Sequence, residues 1–155
     1  MRNALRLFGV LIFAFSGPLA KAHTLDLQER CASQARAAFR ELENDNSEKY
    51  NSSTLVQKIP SKYQNHYNKK LDRCLLLIDR IMVLPLSKNL SDQQRQSILV
   101  DANERRPYAT LIETQLATEP RARLDMCELA PQIRMKTACS VRSDFDAFVA
   151  TYMEQ

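Results

Sequence analysis

Apolar residues recur with a helical period in three stretches of the chain and with a period of two in a fourth. Leu27, Cys31, Ala35, Ala38, Phe39 and Leu42 follow the 3.6-residue repeat of one buried helix face. Asp26 followed by Glu29 has the form of a capping box at its start. A second stripe runs Tyr67, Leu71, Cys74, Leu75, Ile78 and Met82, beginning after Ile59-Pro60-Ser61 and stopping before Pro85. Asn44 to Ser53 is polar and reads as the loop between them. The pattern predicts two helices joined as an antiparallel hairpin.

Residues 83–96, with Pro85 and the polar Ser87–Ser91 run, read as a connection. Beyond it Ile98, Val100 and Ala102 alternate with Leu99 and Asp101, and Asn103-Glu104-Arg105-Arg106 reads as a turn. Tyr108, Thr110, Ile112, Thr114 and Leu116 then continue a period of two. This is the pattern of a β-hairpin, with Pro107 at a strand start, and Leu124–Ala130 reads as a third strand. Ser91 with Gln94 offers a rival reading, a cap for a helix through Ile98 and Leu99. At the C-terminus Ser143 and Asp146 read as an N-terminal cap, with Asp144 adding negative charge to the first turn. Phe145, Phe148, Val149 and Tyr152 form an aromatic helix face suited to sealing a core. The expected fold class is α+β: a disulfide-linked antiparallel helical hairpin, a small antiparallel β-sheet and a C-terminal amphipathic helix. The alternative is all-α.

The four cysteines, Cys31, Cys74, Cys127 and Cys139, form an even set, which reads as two disulfides with three possible pairings. In the expected hairpin Cys31 lies roughly 22 Å, and Cys74 roughly 20 Å, from the connecting end. Level sulfurs on facing stripes favour Cys31–Cys74 and leave Cys127–Cys139. On a chain-entropy basis these loops contribute about 4 and 3 kcal/mol.

The first 22 residues have the form of an export signal. Arg2 and Arg6 precede the apolar run Leu7–Phe15, and Ala20-Lys21-Ala22 is a small-x-small cleavage pattern. Nine apolar residues span about 14 Å as helix, too short for a bilayer. The reading is a signal peptide over 1–22, one domain over 23–155, and no membrane span. The leader carries Arg2, Arg6 and Lys21 and no acid, so the formal charge of +4 falls to +1 in residues 23–155. That balance gives no support for nucleic-acid binding. Both glycines, Gly9 and Gly17, lie in the leader, which excludes glycine-dependent phosphate loops and nucleotide fingerprints from the rest. Turns must then rest on Asn, Asp, Ser and Pro.

The densest patch of reactive side chains is Tyr63 to Cys74. Tyr63, Asn65, His66, Asn68 and Lys70 form a candidate interaction surface on the polar side of the expected second helix. No catalytic set, metal site or cofactor motif is read. Cys74 is committed to a disulfide, and no CxxC or HxxxH supplies competing ligands.

Cys31 with Gln34-Ala35 and Phe39, then Tyr63-x-x-His66-Tyr67-Asn68-x-x-Leu71-x-x-Cys74, Tyr108-Ala109, Cys127, Cys139-Ser140, Asp144-Phe145-Asp146 and Tyr152-Met153 form one constellation. It resembles a set of small secreted four-cysteine proteins of Gram-negative bacteria. The resemblance implies a periplasmic address, with secretion to the extracellular space as the alternative, and carries no activity.

The expected function is therefore non-enzymatic: a disulfide-braced module binding another protein or a cell-envelope component. An inhibitor or immunity protein against a toxin or lytic enzyme is one form of it. The competing class is copper binding through a newly exposed His23 terminus, with His66 as a further nitrogen donor. An acid-triggered chaperone is disfavoured by two histidines and two braces. Asn51 and Asn89 match glycosylation acceptors, which matter only in a eukaryotic secretory route.

Overall fold

The computed structural model describes residues 18–50, 57–87, 90–132 and 135–154. Arg2, Arg6 and the apolar run of the expected export signal lie outside the described residues, as do Asn51, Asn89 and the side chain of His23. The elements in chain order are α1 (Pro18–Tyr50), β1 (Gln57–Asn68), β2 (Arg73–Ser87), β3 (Leu90–Asp101), β4 (Pro107–Gln115), β5 (Arg123–Gln132), β6 (Met135–Ala138) and α2 (Arg142–Met153). The strands form a single antiparallel meander in the order β1-β2-β3-β4-β5-β6. Among the described residues no helix is long and apolar enough to cross a membrane.

The fold is mixed α+β, with the expected antiparallel sheet and C-terminal helix, and the all-α alternative is set aside. The helical hairpin is corrected. Its first arm is α1, but its second arm is the β1–β2 hairpin. Cys74, Ile78 and Met82 are four residues apart, a spacing that keeps one face in a helix and also in a strand. Between them Leu75, Leu76 and Ile78 are all buried, because β2 has helices over both of its faces near this end. An apolar run covered on both sides loses the alternation that marks a strand.

The expected connection over 83–96 is also corrected, since β2 and β3 pair through most of it, from Val83↔Gln93 to Ser87↔Leu90. Residues 91–116 hold strands β3 and β4, with Pro107 opening β4 as expected. The helix boundaries shift as well. Helix α1 starts upstream of Asp26, whose carboxylate forms an i,i+4 pair with Arg30 at 2.8 Å instead of a cap. It also continues through the expected loop to Tyr50. At α2 the cap position is Val141, without a side-chain cap, and Asp144 accepts a hydrogen bond from the Ser140 amide at 3.2 Å.

Two turns show how the sheet reverses without glycine. Between β1 and β2, Asp72 takes φ 53° and the Asn68 side chain accepts from the Leu71 amide at 3.0 Å. Between β3 and β4, the buried Asp101 accepts from the amides of Asn103 and Glu104 at 2.7 and 3.0 Å, while Arg105 takes φ 57°. Asx side chains here supply the acceptors that hold each turn.

The sheet has two differently covered faces. On one, Cys31, Ala35 and Ala38 of α1 are fully buried against Cys74, Leu76, Ile78 and Val100. Alanine lets the helix backbone approach closely and favours the helix itself. The Cys31–Cys74 disulfide, with Cα atoms 5.1 Å apart, fixes this contact. Farther along, Arg80 donates to Glu43 at 2.6 Å and to Gln96 at 3.2 Å, latching α1 to the sheet. On the other face, Phe145 and Val149 of α2 cover Leu75, Leu99, Leu111 and Cys127. Cys127 and Cys139 form the second disulfide, and the Asn68 amide donates to the Tyr152 carbonyl at 2.8 Å near the helix end. Both disulfides are those expected, although Cys74 starts a strand and the helical depth argument does not apply.

Candidate functional site

Alternation along β1 divides the sequence patch between the two faces. Tyr63 stacks on Phe39 of α1, with ring centroids 4.5 Å apart. Tyr67 also packs beside α1: its amide donates to Gln28 at 3.3 Å and its hydroxyl to Asp72. That hydrogen bond, together with burial and the Asp72 charge, raises the Tyr67 pKa. Asn65 is half-buried, Asn68 is buried and clamps α2, and Lys70 is exposed in the β1–β2 turn. His66 lies on the other face, half-buried beside α2. The five residues therefore do not form one surface.

What sequence reading missed is a groove around His66. It has a volume of about 460 Å³ and an apolar floor of Leu77, Phe145, Val149, Ala150 and Met153. Gln64, Asn65, Asp79, Ser97, Arg142, Asp146 and Glu154 supply its polar edges, so of the five sequence candidates Asn65 and His66 both line it. Helix length explains why the groove exists. The twelve residues of α2 extend about 18 Å, whereas the fifteen of β2 extend about 50 Å. The helix roofs β4 and β5 and leaves part of β1 to β3 uncovered.

Cross-strand register arranges this face in rows. Gln64 pairs with Leu77, Lys62 with Asp79 and Asp79 with Ser97. The next row is Ile59, Ile81, Arg95 and Glu113. Here a second hollow of about 340 Å³ opens, lined by Ile59, Pro60, Lys62, Ile81 and Arg95, and it shares Asp79 and Arg142 with the groove. Pro60 sits where the pairing shifts between Ile59 and Lys62, a place an edge strand tolerates. The two hollows make one furrow along the open part of the sheet.

The groove contains a serine, a histidine and an aspartate, but they are not arranged for nucleophilic catalysis. The Ser97 hydroxyl, buried, donates to Asp79 at 2.5 Å. His66 stands opposite Leu75, four residues along β2 from Asp79, or about 13 Å. A triad needs the imidazole between the hydroxyl and the carboxylate. No group of three or more metal-ligating side chains is present among the described residues. The copper reading rests on His23, whose side chain lies outside them.

Arg142 is the main charged group between the hollows. It pairs with Glu113 and lies 3.5 Å from Asp146. Elsewhere, the Tyr152 pKa is raised by burial and the neighbouring Tyr108, consistent with its ring lying 5.4 Å from that of Tyr108. Asp125, on the β4–β5 hairpin, is held below its ordinary pKa by the Thr114 hydroxyl and by Arg123.

Comparison with family models, curated proteins and solved structures gives no match to this chain.

Proposed function

We propose that the chain is a non-enzymatic, extracytoplasmic binding module, periplasmic in a Gram-negative cell, that docks another protein along the furrow beside α2. The observation supporting this most directly is the furrow: two hollows with apolar walls, joined across Asp79 and Arg142, on a sheet face that α2 is too short to close. Each covering helix is tied by a disulfide, so the walls are rigid before binding and less ordering entropy is lost on association. Two disulfides also suit an oxidising compartment. The resemblance to small secreted four-cysteine proteins points the same way. An inhibitor or immunity role is the form of this function that a rigid, preformed groove would serve.

The test is photocrosslinking in the producing cells, with the crosslinker at Gln64 or Ala150 in the groove and at Arg36 on the exposed side of α1. The expected result is one discrete adduct from the two groove positions and none from Arg36. The captured protein, purified separately, should bind the chain saturably, and a bulky Ala150→Trp substitution should abolish that binding. Equal adducts from all three positions, or none, would refute the proposed surface.

A further inference from the structure

The second hollow holds two cations whose natural partners are engaged elsewhere. Lys62 lies directly across from Asp79, but an Asp79 oxygen accepts the Ser97 hydroxyl at 2.5 Å. Arg95 lies directly across from Glu113, but Glu113 pairs with Arg142. Neither Lys62 nor Arg95 has an ion-pair partner among the described residues, and both are exposed. Opposite charges across a strand pair ordinarily engage one another, so this register would be expected to neutralise both cations. Instead Glu113 is drawn to Arg142, while Asp79 is held by the Ser97 hydroxyl and stays a charged edge of the hollow, so that Lys62 and Arg95 face solvent unpaired.

Between the cations lies apolar surface. Ile81 is half-buried on β2, and Ile59, on the edge strand, is 44% exposed. Lys62 and Arg95 stand on β1 and β3, two strand spacings apart and two residues out of step along the sheet, or about 12 Å. Two carboxylates four residues apart on an extended chain span about 13 Å, and they share one face with the residue midway between them. That middle side chain would then meet Ile59 and Ile81.

We infer that this end of the furrow recognises an extended acidic segment of the partner protein, with one carboxylate on Lys62, one on Arg95 and an apolar side chain between them. This rests on the docking surface proposed above and adds the chemistry that selects the partner. Exposed charge pairs of this kind contribute more to selectivity and encounter rate than to affinity, so the expected interaction is salt-sensitive.

The experiment uses the oxidised, isotope-labelled chain and three capped five-residue peptides. One is glutamate-serine-leucine-serine-glutamate, and the other two carry glutamine or lysine in place of both glutamates. The glutamate peptide should shift the backbone amides of Lys62, Asp79, Ile81 and Arg95, and raising the salt should reverse the shifts. The combined Lys62→Gln and Arg95→Gln substitutions should weaken that binding about tenfold, with the rest of the amide spectrum unchanged. Equal binding of the glutamine peptide at these amides would overturn the charge assignment while leaving the docking surface intact. Shifts elsewhere, or none, would overturn the inference outright. Stronger, Lys62- and Arg95-dependent binding of anionic phospholipid vesicles would overturn the assignment to a polypeptide. Failure of the groove crosslinks, by contrast, would remove the docking surface itself.

Discussion

Leu76 and Leu77 are consecutive on β2 and have opposite fates. Leu76 points to α1 and is completely buried beside Cys31, Ala35 and Ala38. Leu77 points to the α2 side and is left half-buried in the floor of a groove. The sheet supplies both faces with the same aliphatic residues, so the difference comes from what lies above them. Helix α1 is long, has alanines at its contact positions, and is held by a disulfide at one end and by the Arg80–Glu43 pair at the other. Helix α2 covers the Asn68, Leu75, Leu99, Leu111 and Cys127 end of its face and leaves the Ile59, Ile81 and Arg95 end open. One face is closed beneath its helix, and the other is core at one end and open surface at the other.

The largest expected effect is on the closed face. Cys31→Ala and Cys74→Ala should each cost about 4 kcal/mol in denaturant unfolding, and the double substitution little more, because both remove the same 43-residue constraint. Cys127→Ala should cost about 3 kcal/mol, since its loop spans only 12 residues. Clear additivity of the Cys31 and Cys74 losses would break the pairing.

Paired truncations sharpen the contrast. Leu76→Ala or Ile78→Ala should destabilise by about 3 kcal/mol, the range for fully buried aliphatic residues. Leu77→Ala, with the same chemistry one residue away, should cost about 1 kcal/mol because solvent or a ligand can occupy the space. Equal losses at Leu76 and Leu77 in the same melts would mean that the two faces are equally closed.

The α1 latch ranks next. Glu43→Ala should cost about 2 kcal/mol by leaving the Arg80 guanidinium, 9% exposed, without its carboxylate. The loss should shrink when Arg80→Met is made in the same chain, a double-mutant cycle that isolates the pair.

The smallest effect concerns acid. Asp125 has a folded-state pKa below its ordinary value, chiefly through the Thr114 hydroxyl. Its contribution is therefore complete above the ordinary aspartate value and is lost as pH falls through the depressed one. Thr114→Val should flatten the acid limb of the stability curve below about pH 4 and leave stability near neutrality changed only by the lost hydrogen bond. An unchanged acid limb would remove Asp125 from that limb.

The sequence revealed α1, the β3–β4 hairpin, α2 and both disulfides because each leaves a local mark: a 3.6-residue stripe, alternation broken by a polar turn, an aromatic helix face, an even cysteine set. It misled over β1 and β2. Cys74, Ile78 and Met82 share a face in either geometry, and the helices over both sides of β2 remove its alternation. The cysteine pairing survived that error because it needed only Cys31 and Cys74 to face one another, which a strand start satisfies as well as a helix. The site was less legible for the same reason. Read as a helix, Tyr63 to Lys70 forms one polar side. As a strand it places Tyr63 against α1 and His66 beside α2. Lys62 and Arg95 become neighbours of one hollow only through pairing across β1, β2 and β3, which no local pattern encodes.

The difference between the faces is measured most directly by methyl relaxation of the oxidised chain with a soluble paramagnetic agent. Leu77 and Ile81, on the open face, should relax strongly, while Leu76 and Ile78 beneath α1 should be protected. Comparable protection at all four methyl-bearing residues would show the α2 side to be closed, and would contradict a furrow able to receive a partner.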